Sequence, residues 1–188
     1  MNVMALDLEL NQPSNTIIQI GITIGNVYTG EVLEKKGWLI CVAEEINPYI
    51  TQLTTITQEM VDSGVFLDDA YREMTELYKK HNCTLNFVTW GGGDHKALRA
   101  QLSEHFTLNP SLGPLIWEYG HREFDVKTLF LALAMAGAKK VRSGLAKSMT
   151  RVGLAFEGTK HWAPDDAYNT FRLLVHLLRK LPTDVLVK

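Results

Sequence analysis

Cysteine is scarce in this sequence: Cys41 and Cys83 are the only two in 188 residues. Their number and spacing exclude a disulfide framework and a cysteine-built metal centre. A reducing, cytoplasmic location is the expectation that follows. No apolar run reaches the length needed to span a bilayer, so no membrane partner is expected. The first residues lack the charged-then-apolar layout of a secretion signal. An excess of positive charge is missing too. The net charge is −2, which gives no global attraction to nucleic acid, so any polyanion must be short or be met by a local basic patch. Repeats, low-complexity tracts and obvious linkers are absent.

What remains is a chain with 46% hydrophobic and 21% charged residues, the balance of a globular core with a solvated surface. Its length suits one domain over residues 1–188, with 181–188 as a loose tail or an edge segment. In residues 2–10, Met4, Leu6, Leu8 and Leu10 alternate with Val3, Ala5, Asp7 and Glu9, which predicts a strand. Alternating isoleucines predict a second strand in TIIQIGITIG, and EVLEKKGWLICV a third. A short helix closed by Gly64 follows, then a longer one through Lys80 with Asp68 or Asp69 as its cap. TLNFVTW reads as a fourth strand, three glycines and a helix from Asp94 follow it, and PLIWEY reads as a fifth strand. Helices are expected near 124–136 and 143–153, and a proline-led helix after His161. Strands first, then strands alternating with helices, predict an α/β or α+β fold on a mixed sheet.

Four acids stand where such a sheet can gather them. Asp7 and Glu9 share one face of the first strand, with Cα atoms roughly 6.5–7 Å apart. Either that face is open to solvent, or something must cancel two charges near the sheet centre. Asp94 opens a helix after three glycines, as a cap or as a ligand. GGGD lacks both the dinucleotide spacing and the lysine of a phosphate-binding loop, so that reading is rejected. Asp166 lies in the first turn of the last helix, five residues after His161. Strand tips and helix starts converge at one edge of α/β sheets. Four carboxylates meeting there would take up protons or bind divalent cations, and oxygen ligands favour Mg²⁺ or Mn²⁺. A neutral imidazole beside such a site can accept a proton from water, which gives His161 a role that a surface histidine lacks.

LDLEL, WGGGDHKAL and HWAPDDAYNT resemble, in order, the three motifs of the DEDDh 3′–5′ exonucleases. IIQIGITI, LTTITQEMVD and FDVKTLFLALAM extend the resemblance over nearly the whole chain, and DDAYN is similar in style to the histone-mRNA and small-RNA trimming exoribonucleases. The resemblance implies a ribonuclease-H-like fold, a mixed five-stranded sheet flanked by helices. It implies that Asp7, Glu9, Asp94 and Asp166 hold two Mg²⁺ or Mn²⁺ ions and that His161 is the general base. The expected activity is hydrolysis at the 3′ end of single-stranded RNA or DNA, releasing nucleoside 5′-monophosphates. The alternatives are a nucleotide phosphohydrolase with the same metal site and an inactive nucleic-acid-binding module. One departure is Thr55, where relatives often carry glycine beside the terminal nucleotide. Asp165 is set aside by the histidine-to-ligand spacing, and Asp125 reads as a helix cap.

The substrate path is expected along a basic run of Lys139, Lys140, Arg142, Lys147, Arg151 and Lys160, in which Glu157 is the one acid. Lys147 and Arg151 are the expected binding residues there, and a helix start near Ser143 suits a phosphate. Trp90, Tyr119, Phe124 and Trp162 offer rings for stacking, none singled out. By resemblance, Leu10 and Leu53 pack against the terminal base or sugar.

Overall fold

The chain begins at the centre of its sheet. In the computed structural model, which describes residues 1–137 and 144–181, strand β1 (Asn2–Leu10) is the middle one of five. Antiparallel β2 (Ile17–Asn26) and β3 (Val32–Leu39) extend the sheet on one side. Parallel β4 (Phe87–Thr89) and β5 (Glu123–Asp125) extend it on the other, in the order β3-β2-β1-β4-β5. The mixed sheet with its flanking helices is the ribonuclease-H-like architecture expected. Lys139, Lys140, Arg142, the expected helix start at Ser143 and the tail beyond residue 181 lie outside the described residues.

The period-two pattern of β1 decides which helices cover which face. Met4, Leu6 and Leu8 enter one core with helices α3 (Leu67–Lys80) and α4 (Asp94–Leu108). Val3 and Ala5 enter the other, with α5 (Val126–Ala136), α6 (Leu145–Arg151) and α7 (Ala163–Leu178). Asp7 and Glu9 continue the second set, so they lie on the face that α7 covers. Two short helices, α1 (Pro48–Thr54) and α2 (Gln58–Asp62), close a smaller cluster around Ile18 and Ile56.

Two expectations need correction. Residues 114–119 do not form the fifth strand; β5 is Glu123–Asp125. Their apolar pattern serves an aromatic cluster instead. Tyr119 is buried with its ring centroid 4.5 Å from that of Phe87 and 4.9 Å from that of Tyr78. The Ile116 carbonyl accepts from Tyr71 Oη at 2.6 Å rather than from a sheet neighbour. Neither Asp68 nor Asp69 caps α3, which starts at Leu67 and places both in its first turn. Asp68 is held by Arg72 at 3.1 Å and His105 at 3.0 Å, tying α3 to α4.

Glycines on neighbouring strands let α7 reach the sheet. Gly21 and Gly37 are in register, and Gly21 also faces Asp7 across the β1–β2 ladder. A Cβ on Gly21 would lie 2.0 Å from the Ala163 carbonyl carbon, and one on Gly37 would lie 2.2 Å from Pro164 Cγ. The side chain of Gln19, fully buried on β2, accepts from Ala163 N at 2.9 Å, an end group that no cap on α7 itself satisfies. The start of α7, and Asp166 with it, is thereby seated over Asp7 and Glu9.

Candidate active site

Asp7 and Glu9 are not on a solvated face. Glu9 is 8% exposed and Asp7 is partly buried. The β1–β2 register slips between Glu9 and Leu10, a bulge that re-aims the end of the strand beside the site.

Asp94 is carried in from β4 by Gly91, Gly92 and Gly93, with φ of 97°, 70° and 113°, a region that side chains disfavour. Two acids of β5 clamp this loop. Gly91 N donates to Asp125 Oδ1 at 2.8 Å and Gly93 N to Glu123 Oε1 at 2.9 Å. Asp125 also accepts from Lys127 N at 2.9 Å, which makes it the cap that was expected. Asp94 itself is not a cap: Gly93 holds that position and Asp94 is the first helical residue.

The loop before α7 is held by the helix it introduces. Asp165 accepts from Thr159 N at 2.7 Å and pairs with Lys35, so its carboxylate is engaged in holding the loop. Buried Asn169 donates to the Glu157 and Asp165 carbonyls, both at 2.7 Å. Asp166 Oδ2 accepts from His161 N at 3.0 Å. This bond holds His161 at φ 58°, a conformation uncommon for a residue with a Cβ, while its side chain stays exposed.

The result is a convergence of charge. Ligand atoms of Glu9, His161 and Asp166 all lie within 4.8 Å of one another. Burial, then the charges of Asp94, Asp166 and Glu9, push the Asp7 carboxyl well above its ordinary range. Burial, then Asp166 and Asp94, push Glu9 up to about 8. Burial, then Glu123 and Asp125, push Asp94 up to about 7, and burial pushes Asp166 up to about 6 against the pull of His161. Among the described residues none of the four acids forms a salt bridge. An unpaired, oxygen-rich donor set of this kind fits hard divalent cations.

A pH dependence follows for the metal-free protein. Carboxyls raised by folding stabilise the fold fully below their unfolded values, near pH 4. That contribution is lost as pH rises through about 6, 7 and 8 for Asp166, Asp94 and Glu9. In EDTA, therefore, the melting temperature attributable to these groups should fall between pH 5 and pH 8, and Glu9→Gln should flatten the fall. Mg²⁺ at one concentration, a hundredfold above its Kd at pH 8, should restore roughly 5–10 °C at pH 8 and less at pH 5. Melts in both media at both pH values test this, and equal Mg²⁺ shifts at pH 5 and pH 8 would contradict it.

The expected substrate residues are more dispersed. Lys147 is exposed and lines a cavity of about 280 Å³ with Lys160, His161 and Asp166. Arg151 lines a different cavity, with Phe130, Leu133 and Leu177. Leu10 packs on the first core beside the bulge, and Leu53 is 38% exposed on α1. Thr55, at the end of α1, has φ 65°, so a β-branched residue occupies a conformation that favours glycine. Tyr119 belongs to the core, Trp90 packs on Phe130, Trp162 lies against the α1–α2 cluster, and Phe124 is exposed.

The family model described as Exonuclease matches residues 5–174, and the chain belongs to that family. It is 30% identical over 118 residues to the probable 3′-5′ exonuclease KapD of Bacillus subtilis, covering 63% of this chain and 51% of that protein. It is 27% identical to the 3′-5′ exonuclease Snipper of Drosophila melanogaster, with 87% of this chain and 61% of that protein covered. The chain thus spans between half and two thirds of the length of these relatives. The nuclease domain of 3′hExo, a DEDDh family member solved with rAMP, superposes with a TM-score of 0.68 at 16% identity, covering 95% of this chain and 92% of that one. The chain is thus a member of the exonuclease family, and its fold is that of the solved DEDDh nuclease domain.

Proposed function

We propose that this chain removes nucleotides one at a time from the 3′ end of single-stranded RNA or DNA, releasing nucleoside 5′-monophosphates. The observation that carries the reading is the gathering of Asp7, Glu9, Asp94 and Asp166, with His161 at the start of α7 within 4.8 Å of Glu9 and Asp166. Asp7, Glu9, Asp94 and Asp166 would hold two Mg²⁺ or Mn²⁺ ions. Bound there, the ions would supply Lewis-acid stabilisation of the scissile phosphate and of the leaving 3′ oxygen. His161, exposed and fixed through its backbone by Asp166, takes the proton of the attacking water. The rAMP in the 3′hExo structure suits a product of this kind. Leu10 and Leu53 would pack against the terminal nucleotide, and Lys147 and Arg151 would attract the phosphates that follow.

Because Lys147 shares a cavity with His161 and Asp166, Lys147→Gln should raise KM for a short strand roughly 5–10-fold, the scale of one solvent-facing charged contact. Arg151→Gln should have the smaller effect. The reverse order in steady-state kinetics would move the strand to the other side of α6.

The reading is tested on 5′-labelled single-stranded RNA and DNA with Mg²⁺, Mn²⁺ or EDTA. A descending ladder with metal and none with EDTA supports it. Intact strands under every condition would leave a binding module. Hydrolysis of free nucleotides beside intact strands would leave a nucleotide phosphohydrolase.

A further inference from the structure

One concave cluster of cations lies outside the acidic centre. A cleft of about 360 Å³ runs along α4, lined by His95, Lys96, Arg99, Ser103 and, from the loop before β5, His121. We propose that this cleft is a second phosphate-binding subsite, which takes a backbone phosphodiester of the same strand whose 3′ end lies at the acids; the proposal rests on the exonuclease reading above.

Neither cation in the cleft has an acidic partner: Lys96 and Arg99 are exposed, and neither has an ion pair among the described residues. Arg99 Nη1 lies 2.7 Å from His121 Nδ1. A guanidinium has only donors, so His121 accepts at Nδ1 and carries its hydrogen on Nε2 as a further donor. The guanidinium carbon stands 5.7 Å from the centre of the Trp117 ring, which braces the planar group. His95 is 3% exposed, and its Nδ1 has no hydrogen-bond partner.

The acids nearby are engaged, none of them with Lys96 or Arg99. Glu118 pairs with Lys79 at 2.8 Å, and Glu123 holds Gly93 N at 2.9 Å with its other oxygen 4.0 Å from His95 Nδ1. Glu104 lines the cavity on the other side of α4. A concentration of unpaired cations with no lining acid is an anion site on a chain whose net charge is −2.

Its placement selects the ligand. Lys96 and Arg99 follow Asp94 by two and five residues on one helix, so they stand roughly 3–8 Å further along its axis and roughly 140–200° around it, and a strand that reaches them from Asp94 must pass over the start of α4. With a 3′ terminus at Asp94, every other phosphate of the strand lies 5′ of it. A phosphate in this cleft therefore belongs to the body of the strand and not to the scissile bond. A dinucleotide has no phosphate to spare for it.

The test compares wild type with Lys96→Gln/Arg99→Gln, in which glutamine keeps the stems and removes both charges. kcat/KM is measured in Mg²⁺ from 50 to 200 mM KCl, on a 12-nucleotide single strand and on a dinucleotide. On the 12-mer the double variant should lose roughly tenfold at 50 mM, and its log–log salt slope should be shallower by about 1.4, two contacts at 0.7 each. The dinucleotide should show neither change. A 12-mer slope equal to that of wild type overturns the site, and so does an equal loss on the dinucleotide. Inorganic phosphate should inhibit the wild type more on the 12-mer than on the dinucleotide, by competing for the cleft, and the double variant should lose that difference; a difference that persists in the double variant would overturn the site. Wild type that hydrolyses neither substrate would refute the exonuclease reading itself, a failure distinct from a silent double variant.

Discussion

Asp7→Asn, Glu9→Gln, Asp94→Asn and Asp166→Asn should each lower 3′-end hydrolysis by about 10³-fold or more, because the Lewis-acid contribution lost is several kcal/mol at 1.4 kcal/mol per tenfold. The fold should survive each change. All four carboxyls are raised by burial and by acidic neighbours, so each is a burden on the metal-free protein above neutral pH. At pH 8 in EDTA the four variants should melt at or above wild type. With Mg²⁺ the order should reverse, since wild type gains ligand stabilisation that the variants lose. Calorimetry in the two media reads both. Variants that melt well below wild type in EDTA would be missing structural acids, and the loss of activity would then say nothing about metal.

The second large effect belongs to His161. His161→Ala should lower turnover roughly 10²–10⁴-fold, the usual range for a general base, with Mg²⁺ affinity and KM within twofold of wild type. His161→Asn is the stricter variant. Asparagine tolerates a positive φ better than alanine, so the backbone bond from residue 161 to Asp166 is retained while the base is removed. Both variants should give the same rate. An asparagine variant that restores activity would assign His161 to holding the loop, and the base would be sought elsewhere.

Much of this site was legible because its acids sit at landmarks that sequence marks well. Asp7 and Glu9 follow a clean alternation, Asp94 follows three glycines, and Asp166 opens an apolar helix after a proline. The groups that bring those landmarks together were not legible. Gly21, Gly37 and Gln19 seat α7 on the sheet, yet each reads as an ordinary strand residue until its cross-strand partner is known. Glu123, just ahead of the helix expected near 124–136, carries no signal of its own and is one of two acids gripping the triple-glycine loop. The fifth strand was misplaced for a related reason. Three residues with an exposed Phe124 carry almost no periodic signal, while the apolar run at 114–119 carries a strong one for a different purpose, the aromatic cluster against Phe87 and Tyr78. Dihedral strain was equally invisible. Nothing in the identities of Thr55 and His161 announces a left-handed backbone.

The timed release of nucleotides from one strand tests the exonuclease reading most directly. The substrate is an unlabelled single strand whose last four residues carry four different bases, incubated with Mg²⁺ and sampled by chromatography. Nucleoside 5′-monophosphates should appear in the order in which their bases occur from the 3′ end, and EDTA should suppress all of them. Release in the opposite order, nucleoside 3′-monophosphates, or internal fragments as the first products would contradict it.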